Sequence, residues 1–140
     1  MVRAAAVALV LALGAGAAEA ADQFDLVCKG KYREDDRGAW RPWEGRYRID
    51  LSAGAWCQGD CSSIARLAEV TAAKLYLRPS TSRAESTDGS SQTFEIDRVT
   101  GKLTQFEYRP PMYERGSTWW WQVEADCTPA PYSGMPSARF

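Results

Sequence analysis

Histidine is absent from all 140 residues, and that absence removes whole classes of chemistry. Ser-His and Cys-His nucleophile arrangements need an imidazole as base, and His-based metal sites need one as ligand. A surplus of charge is also missing: 17 Lys and Arg stand against 18 Asp and Glu, and the two signs are interspersed. Nucleic-acid binding needs a basic stripe or patch, so no nucleic-acid partner is expected. No glycine-rich phosphate loop occurs, because D-G-S-S and V-T-G-K read as turns outside any strand-to-helix context. Nothing in the sequence asks for a cofactor or a metal.

Long apolar runs are missing too, except at the start, M-V-R-A-A-A-V-A-L-V-L-A-L-G-A-G-A-A-E-A. Arg3 forms a short positive region, Ala4–Ala18 an apolar stretch, and Ala18-Glu19-Ala20 a small-residue cleavage site, the pattern of a secretory signal peptide. Its apolar stretch of about 15 residues falls short of the roughly 20 that span a bilayer. Asp25-Leu26-Val27 before Cys28 lacks the small residues of a lipidation site. The expectation is a signal peptide over 1–20 and one exported domain over 21–140, periplasmic or secreted, with no membrane insertion after cleavage. Roughly 120 residues is near the commonest size for a single domain.

Four cysteines, Cys28, Cys57, Cys61 and Cys127, suit a disulfide set in a small exported chain better than a metal site. Cys57 and Cys61 flank Gln-Gly-Asp, where a turn at Gly59 could bring their Cα atoms within the roughly 7 Å that a bridge requires. Cys28 and Cys127 then tie the first strand to the last.

Between the cysteines the chain alternates apolar and polar residues in short runs, the mark of an antiparallel all-β protein. Phe24, Leu26 and Cys28 share one face, as do Tyr47, Ile49 and Leu51, with a charged loop expected between the two strands. Over 62–77, Ile64, Leu67, Ala68 and Thr71 fit a helical face capped by Ser62 or Ser63. Ile64, Val70, Leu75 and Leu77 fit two short strands instead. The expectation is a loop or short strand, then a strand over 73–78. P-S-T-S-R-A-E-S-T-D-G-S-S-Q-T reads as a polar excursion. Thr93–Arg98 and Lys102–Tyr108 then form a hairpin with Gly101 left-handed, Phe94 and Ile96, and Phe106 and Tyr108, supplying its apolar faces. The prolines after Arg109 end that strand.

The S-T-W-W-W-Q-V-E-A-D-C stretch follows the same alternation. Trp119, Trp121, Val123, Ala125 and Cys127 share an apolar face expected to be core. Trp120 shares the other face with Gln122, Glu124 and Asp126. Trp120 therefore serves either as a cross-strand cover or, with Trp40, Trp43 and Arg41 from the R-G-A-W-R-P-W-E stretch, as a stacking surface for a ligand. Arg46 could assist, and Trp56 is expected to lie against a disulfide. Three acid pairs, Asp35–Asp36, Glu95–Asp97 and Glu124–Asp126, are the only visible basis for hydrolysis, through a two-carboxylate mechanism.

F-D-L-V-C-K-G, R-Y-R-I-D-L-S-A-G-A-W-C, I-D-R-V-T-G-K-L and C-T-P-A-P-Y-S-G-M-P-S-A-R-F resemble blocks in small exported bacterial proteins without an established activity. The chain is also similar, more distantly, to periplasmic lysozyme inhibitors, which are small disulfide-tied β-barrels with a Ser-Gly-x-x-Tyr inhibitory motif. Here Ser133-Gly134-Met135-Pro136 is followed by Ser137, so the tyrosine is missing. These similarities imply a small antiparallel β-barrel or curved sheet and an envelope location, and no catalytic residues. The expected function is a non-catalytic module binding a protein or glycan of the cell envelope; a carboxylate-based glycan hydrolase is the alternative. The tail over 128–140 is expected either to be flexible or to dock through Tyr132, Met135 and Phe140.

Overall fold

The computed structural model describes residues 22–111 and 117–136; the expected signal peptide and Phe140 lie outside them. Nine strands follow one another: β1 Gln23–Arg33, β2 Arg41–Asp50, β3 Ala55–Gln58, β4 Ile64–Arg66, β5 Glu69–Val70, β6 Lys74–Thr81, β7 Ser91–Asp97, β8 Lys102–Arg109 and β9 Trp119–Ala130. They form one antiparallel sheet in the order β4-β3-β2-β1-β9-β8-β7-β6-β5. The all-β, disulfide-tied curved sheet is therefore what the alternating pattern implies. Residues 62–77 adopt the strand alternative, because Leu75 and Leu77 are core residues two positions apart.

The sheet curls into a half-barrel, and a short link bridges its two edges. β4 and β5 stand at opposite ends of the strand order yet are joined by two residues only, Leu67 and Ala68. Leu67 N–H donates to Gly54 O at 2.9 Å and Ala68 N–H to Tyr76 O at 2.8 Å, so this link bonds to both walls. Inside lie Leu26, Ile49, Leu75, Leu77, Ile96, Leu103 and Val123. Tyr47 and Trp56 from one wing meet Phe94 from the other at ring-centroid distances of 5.9 and 5.5 Å.

Trp56 therefore packs across the barrel, not beside its neighbouring disulfide as expected. Its indole N–H donates to Leu77 O at 3.0 Å and to Arg66 O at 3.2 Å, holding β6 against β3 where no strand pairing joins them. Trp56→Phe keeps most of the apolar bulk but leaves the Leu77 carbonyl without its donor, a loss of about 1–3 kcal/mol. Urea unfolding should register that loss, and hydrogen exchange should show faster opening of β6 than of β1.

Both disulfides form as expected, Cys28 with Cys127 and Cys57 with Cys61. Two such bonds indicate an oxidising, extracytoplasmic compartment. No helix among the described residues is long and apolar enough to cross a membrane. Gly101 takes φ +72° in the β7–β8 turn, and a Cβ there would come within 2.7 Å of Cys127 O, so both conformation and space demand glycine. Asp97 Oδ1 accepts the N–H groups of Val99 and Thr100 and fixes the same turn.

Two further expectations about the loops need correcting, and the tail's course can be given. The charged stretch 31–44, expected as a loop, is half strand, since β1 runs to Arg33 and β2 begins at Arg41, leaving 34–40 as the loop. The polar excursion is shorter than expected, because Pro79–Thr81 extend β6 and Ser91–Thr93 open β7. Between them Asp88 collects Ser86 and Ser90, so the segment is a hydrogen-bonded turn. The tail docks through polar groups: Ser133 donates its hydroxyl and N–H to Asp25 at 2.7 and 3.2 Å, and Arg48 reaches Gly134 O at 2.5 Å.

Candidate functional site

Pairing register determines which aromatics meet. Phe94 stands opposite Gln105 and Ile96 opposite Leu103, so β8 turns Leu103, Gln105 and Glu107 inward. Phe106 and Tyr108, expected with the hairpin's apolar residues, consequently point outward, next to Gln122 and Trp120 of β9. The T-Q-F-E-Y run alternates acceptably in either phase, and Leu103 decides it by burying completely.

On this outer face Trp40 and Trp120 are brought together by a residue the sequence reading missed. The Arg33 guanidinium lies 4.7 Å from the Trp40 ring centroid and 4.7 Å from that of Trp120. Gln122 Oε1 accepts from Arg33 Nε and Nη2 at 3.1 and 2.8 Å, and Asp36 O accepts from Nη1. Phe106 meets Trp120 edge-on at 5.5 Å, and Lys31 covers Trp40 at 4.5 Å. Alternation from Cys28 puts Arg33 on the outward side of β1, but Gln122 becomes its partner only through the long-range pairing of β1 with β9. The cluster already stacks against cations of its own chain, so a ligand there must compete with Arg33.

Trp43 and Arg41 face the opposite way. Trp43 lies over Gly45, where a Cβ would fall 2.5 Å from its Cη2, and stands 6.4 Å from Tyr47 inside the barrel. Arg41 pairs with Tyr32 at the end of β1, and Tyr32 stacks on Trp121 at 4.8 Å. Tyr32, Trp43 and Trp121 thus line the inner wall where β1, β2 and β9 reach the open end of the sheet. The four candidates divide in pairs: Trp40 and Trp120 outside, Trp43 and Arg41 at the opening.

Trp119 joins the opening. It shares the inward phase of Trp121, yet it is 53% exposed and not core as expected, because the strand begins there, above the last layer of packed side chains. Beside it Arg109 Nη2 pairs with Glu107 Oε1 at 2.5 Å, and the three side chains border an open hollow of about 420 Å³. A second cleft of about 580 Å³, bordered by Asp88, Gln92, Glu107 and Tyr108, adjoins it on the β7–β8 side.

Five of the six carboxylates in the three acid pairs are otherwise engaged, Asp36 being the exception. Glu124 meets Lys31 at 3.5 Å and Asp126 meets Lys102 at 2.6 Å, while Glu95 meets Lys74 at 2.6 Å. Asp97 and Asp35 cap turns. Hydrogen bonds from the Ser86 hydroxyl and then from Ser90 hold Asp88 well below the usual carboxylate range. Among the described residues, no three acidic or cysteine side chains gather as a metal ion would require. The chain matches no protein-family model, no curated protein and no solved structure.

Proposed function

We propose that the protein is a non-catalytic binding module of the cell envelope, acting in the periplasm, and that it takes a glycan at the open end of its sheet. One observation carries this reading: Trp119 presents an exposed indole beside the Glu107–Arg109 pair, at the rim of an inner wall lined by Tyr32, Trp43 and Trp121. Indole faces suit the apolar faces of sugar rings, and a flanking acid and guanidinium suit the hydroxyls around them.

Titration of the oxidised protein with soluble peptidoglycan fragments, followed by tryptophan fluorescence, tests the proposal. A saturable shift is expected, weakened about five- to tenfold in Trp119→Ala, the order of magnitude of one aromatic stacking contact. Trp120→Ala should leave it nearly intact, because the Trp120 faces are taken by Arg33 and Phe106. The reverse pattern would move the surface to the outer cluster and sink the reading.

A carboxylate-based hydrolase draws on the cleft that Asp88 and Glu107 share. Glycoside cleavage needs one protonated carboxyl as acid. Asp88 is held ionised by its serine donors and Glu107 is committed to Arg109, so binding is favoured over hydrolysis. A lysozyme-inhibitor-like role would use Ser133-Gly134, but both residues are spent on Asp25 and Arg48 within the chain.

A further inference from the structure

At the end of the sheet away from Trp119 lies a hollow of about 490 Å³. Phe24 and Leu26 of β1, Leu75 of β6, Ile96 of β7, and Cys127 and Pro129 of β9 border it. Leu26, Leu75 and Ile96 are buried and make its floor, while Phe24 is half-buried and Pro129 exposed at its edge. Hollows of this size, mostly apolar with a few polar groups, are the usual form of small-ligand sites.

The β7–β8 turn borders the same hollow with Arg98 and Val99. Val99 is 81% exposed. The turn itself is set by Asp97, which accepts the N–H groups of Val99 and Thr100, and by the left-handed Gly101. Nothing in that geometry requires an apolar side chain at position 99, yet beside the hollow a valine extends the apolar wall. The Arg98 guanidinium donates from Nη1 to Thr71 O at 2.8 Å, and among the described residues it has no carboxylate partner. Asp97, the other charged residue at the hollow, is committed through Oδ1 to the turn amides. Arg98, with N–H groups unspent, is therefore the polar group that the hollow offers a ligand. An apolar lining beside a cation is complementary to an anion with an apolar body.

We propose that this hollow binds a free medium-chain fatty acid, its chain against Phe24, Leu75 and Val99 and its carboxylate on Arg98. The apolar lining takes methylenes out of water, and the spare guanidinium N–H groups donate to the carboxylate. A neutral apolar molecule leaves Arg98 unused, and a cationic one meets it as a like charge. The site lies at the opposite end of the sheet from Trp119 and does not rest on the glycan reading.

Calorimetric titration of the oxidised protein with hexanoate, octanoate, decanoate and decyltrimethylammonium tests it. Decanoate should bind, and each methylene removed from the chain should weaken binding about fourfold. Decyltrimethylammonium, of equal chain length and opposite charge, should bind at least tenfold more weakly, a preference lost in Arg98→Gln. Val99→Asp should weaken decanoate binding about tenfold, through lost apolar contact and an added like charge. Both positions are exposed, so the ligand-free variants should unfold at the urea concentration of the parent. No decanoate binding, an affinity independent of chain length, or equal affinity for the two head groups would overturn the proposal, and these three outcomes are read on the parent protein alone. Undiminished decanoate binding in Val99→Asp, or an undiminished head-group preference in Arg98→Gln, would overturn it as well.

Discussion

Replacing Cys28 and Cys127 together with alanine should lower the unfolding free energy by about 4.7 kcal/mol, the size expected for opening a loop of roughly 100 residues. The two residues stand directly opposite each other on β1 and β9 and are 99 apart in sequence. Their bond joins the first strand to the last at the middle of the strand order, so both wings of the sheet hang from it. For a domain with a total stability of about 5–15 kcal/mol, such a loss is a large share of what holds it folded. The Cys57–Cys61 bond spans a separation of 4 and closes only the turn at Gly59. Its removal should cost about 2 kcal/mol on the same relation. Urea unfolding of the two double-alanine variants, followed by circular dichroism, compares them. Equal losses would show that the long bridge does not work by restricting the unfolded chain.

The second large effect belongs to Asp25. It lies on the side of β1 away from the core, yet it is fully buried, because the chain after β9 folds back over it. Its carboxylate accepts the Ser133 hydroxyl and N–H and, at 3.0–3.1 Å, the Arg46 guanidinium. Asp25→Ala releases the tail and strips Arg46 of its partner. Arg46 is half exposed and can rehydrate, which keeps the expected loss at about 2–3 kcal/mol, below that of a wholly buried pair.

The same residue predicts a pH dependence. Burial alone would raise the Asp25 pKa, but the hydrogen bonds from Ser133 and the charge of Arg46 outweigh it, and the folded value lies below the ordinary 3.8. A carboxyl with a lowered folded pKa binds protons more readily unfolded than folded. Its contribution is complete above the ordinary value and fades as the pH falls through the folded one. Unfolding free energy should therefore decline below about pH 4, less steeply in Asp25→Asn than in the parent. Parallel slopes between pH 5 and pH 2.5 would remove Asp25 from the acid response. Asp50, Asp88 and Asp97 are lowered too, so the difference between the two proteins is the quantity to read.

Much of this molecule could be read from residue order alone. Period-two alternation is local, so F-D-L-V-C and R-Y-R-I-D-L placed Leu26, Cys28, Tyr47 and Ile49 inside before any coordinate was known. Cys28 and Cys127 fell on inward phases of the terminal strands, which made their pairing legible. Gly101 was legible for the same reason, because a turn conformation depends on neighbouring residues. Alternation, however, is blind to what covers a face. It assigned Trp119 to the core because it shares a phase with Val123, whereas the strand's first residue stands above the packed layers. It made Asp25 an outward polar residue, and only the returning tail buries it.

Strand order and closure were decided by the tertiary structure. Trp40 and Trp120 meet around Arg33 because β1 lies beside β9, a neighbour remote in sequence. Trp56 spans to Leu77 because the wings curl until β4 and β5 share the Leu67–Ala68 link. Local sequence determines which way a side chain points from its own strand; only the long-range register determines what it meets there.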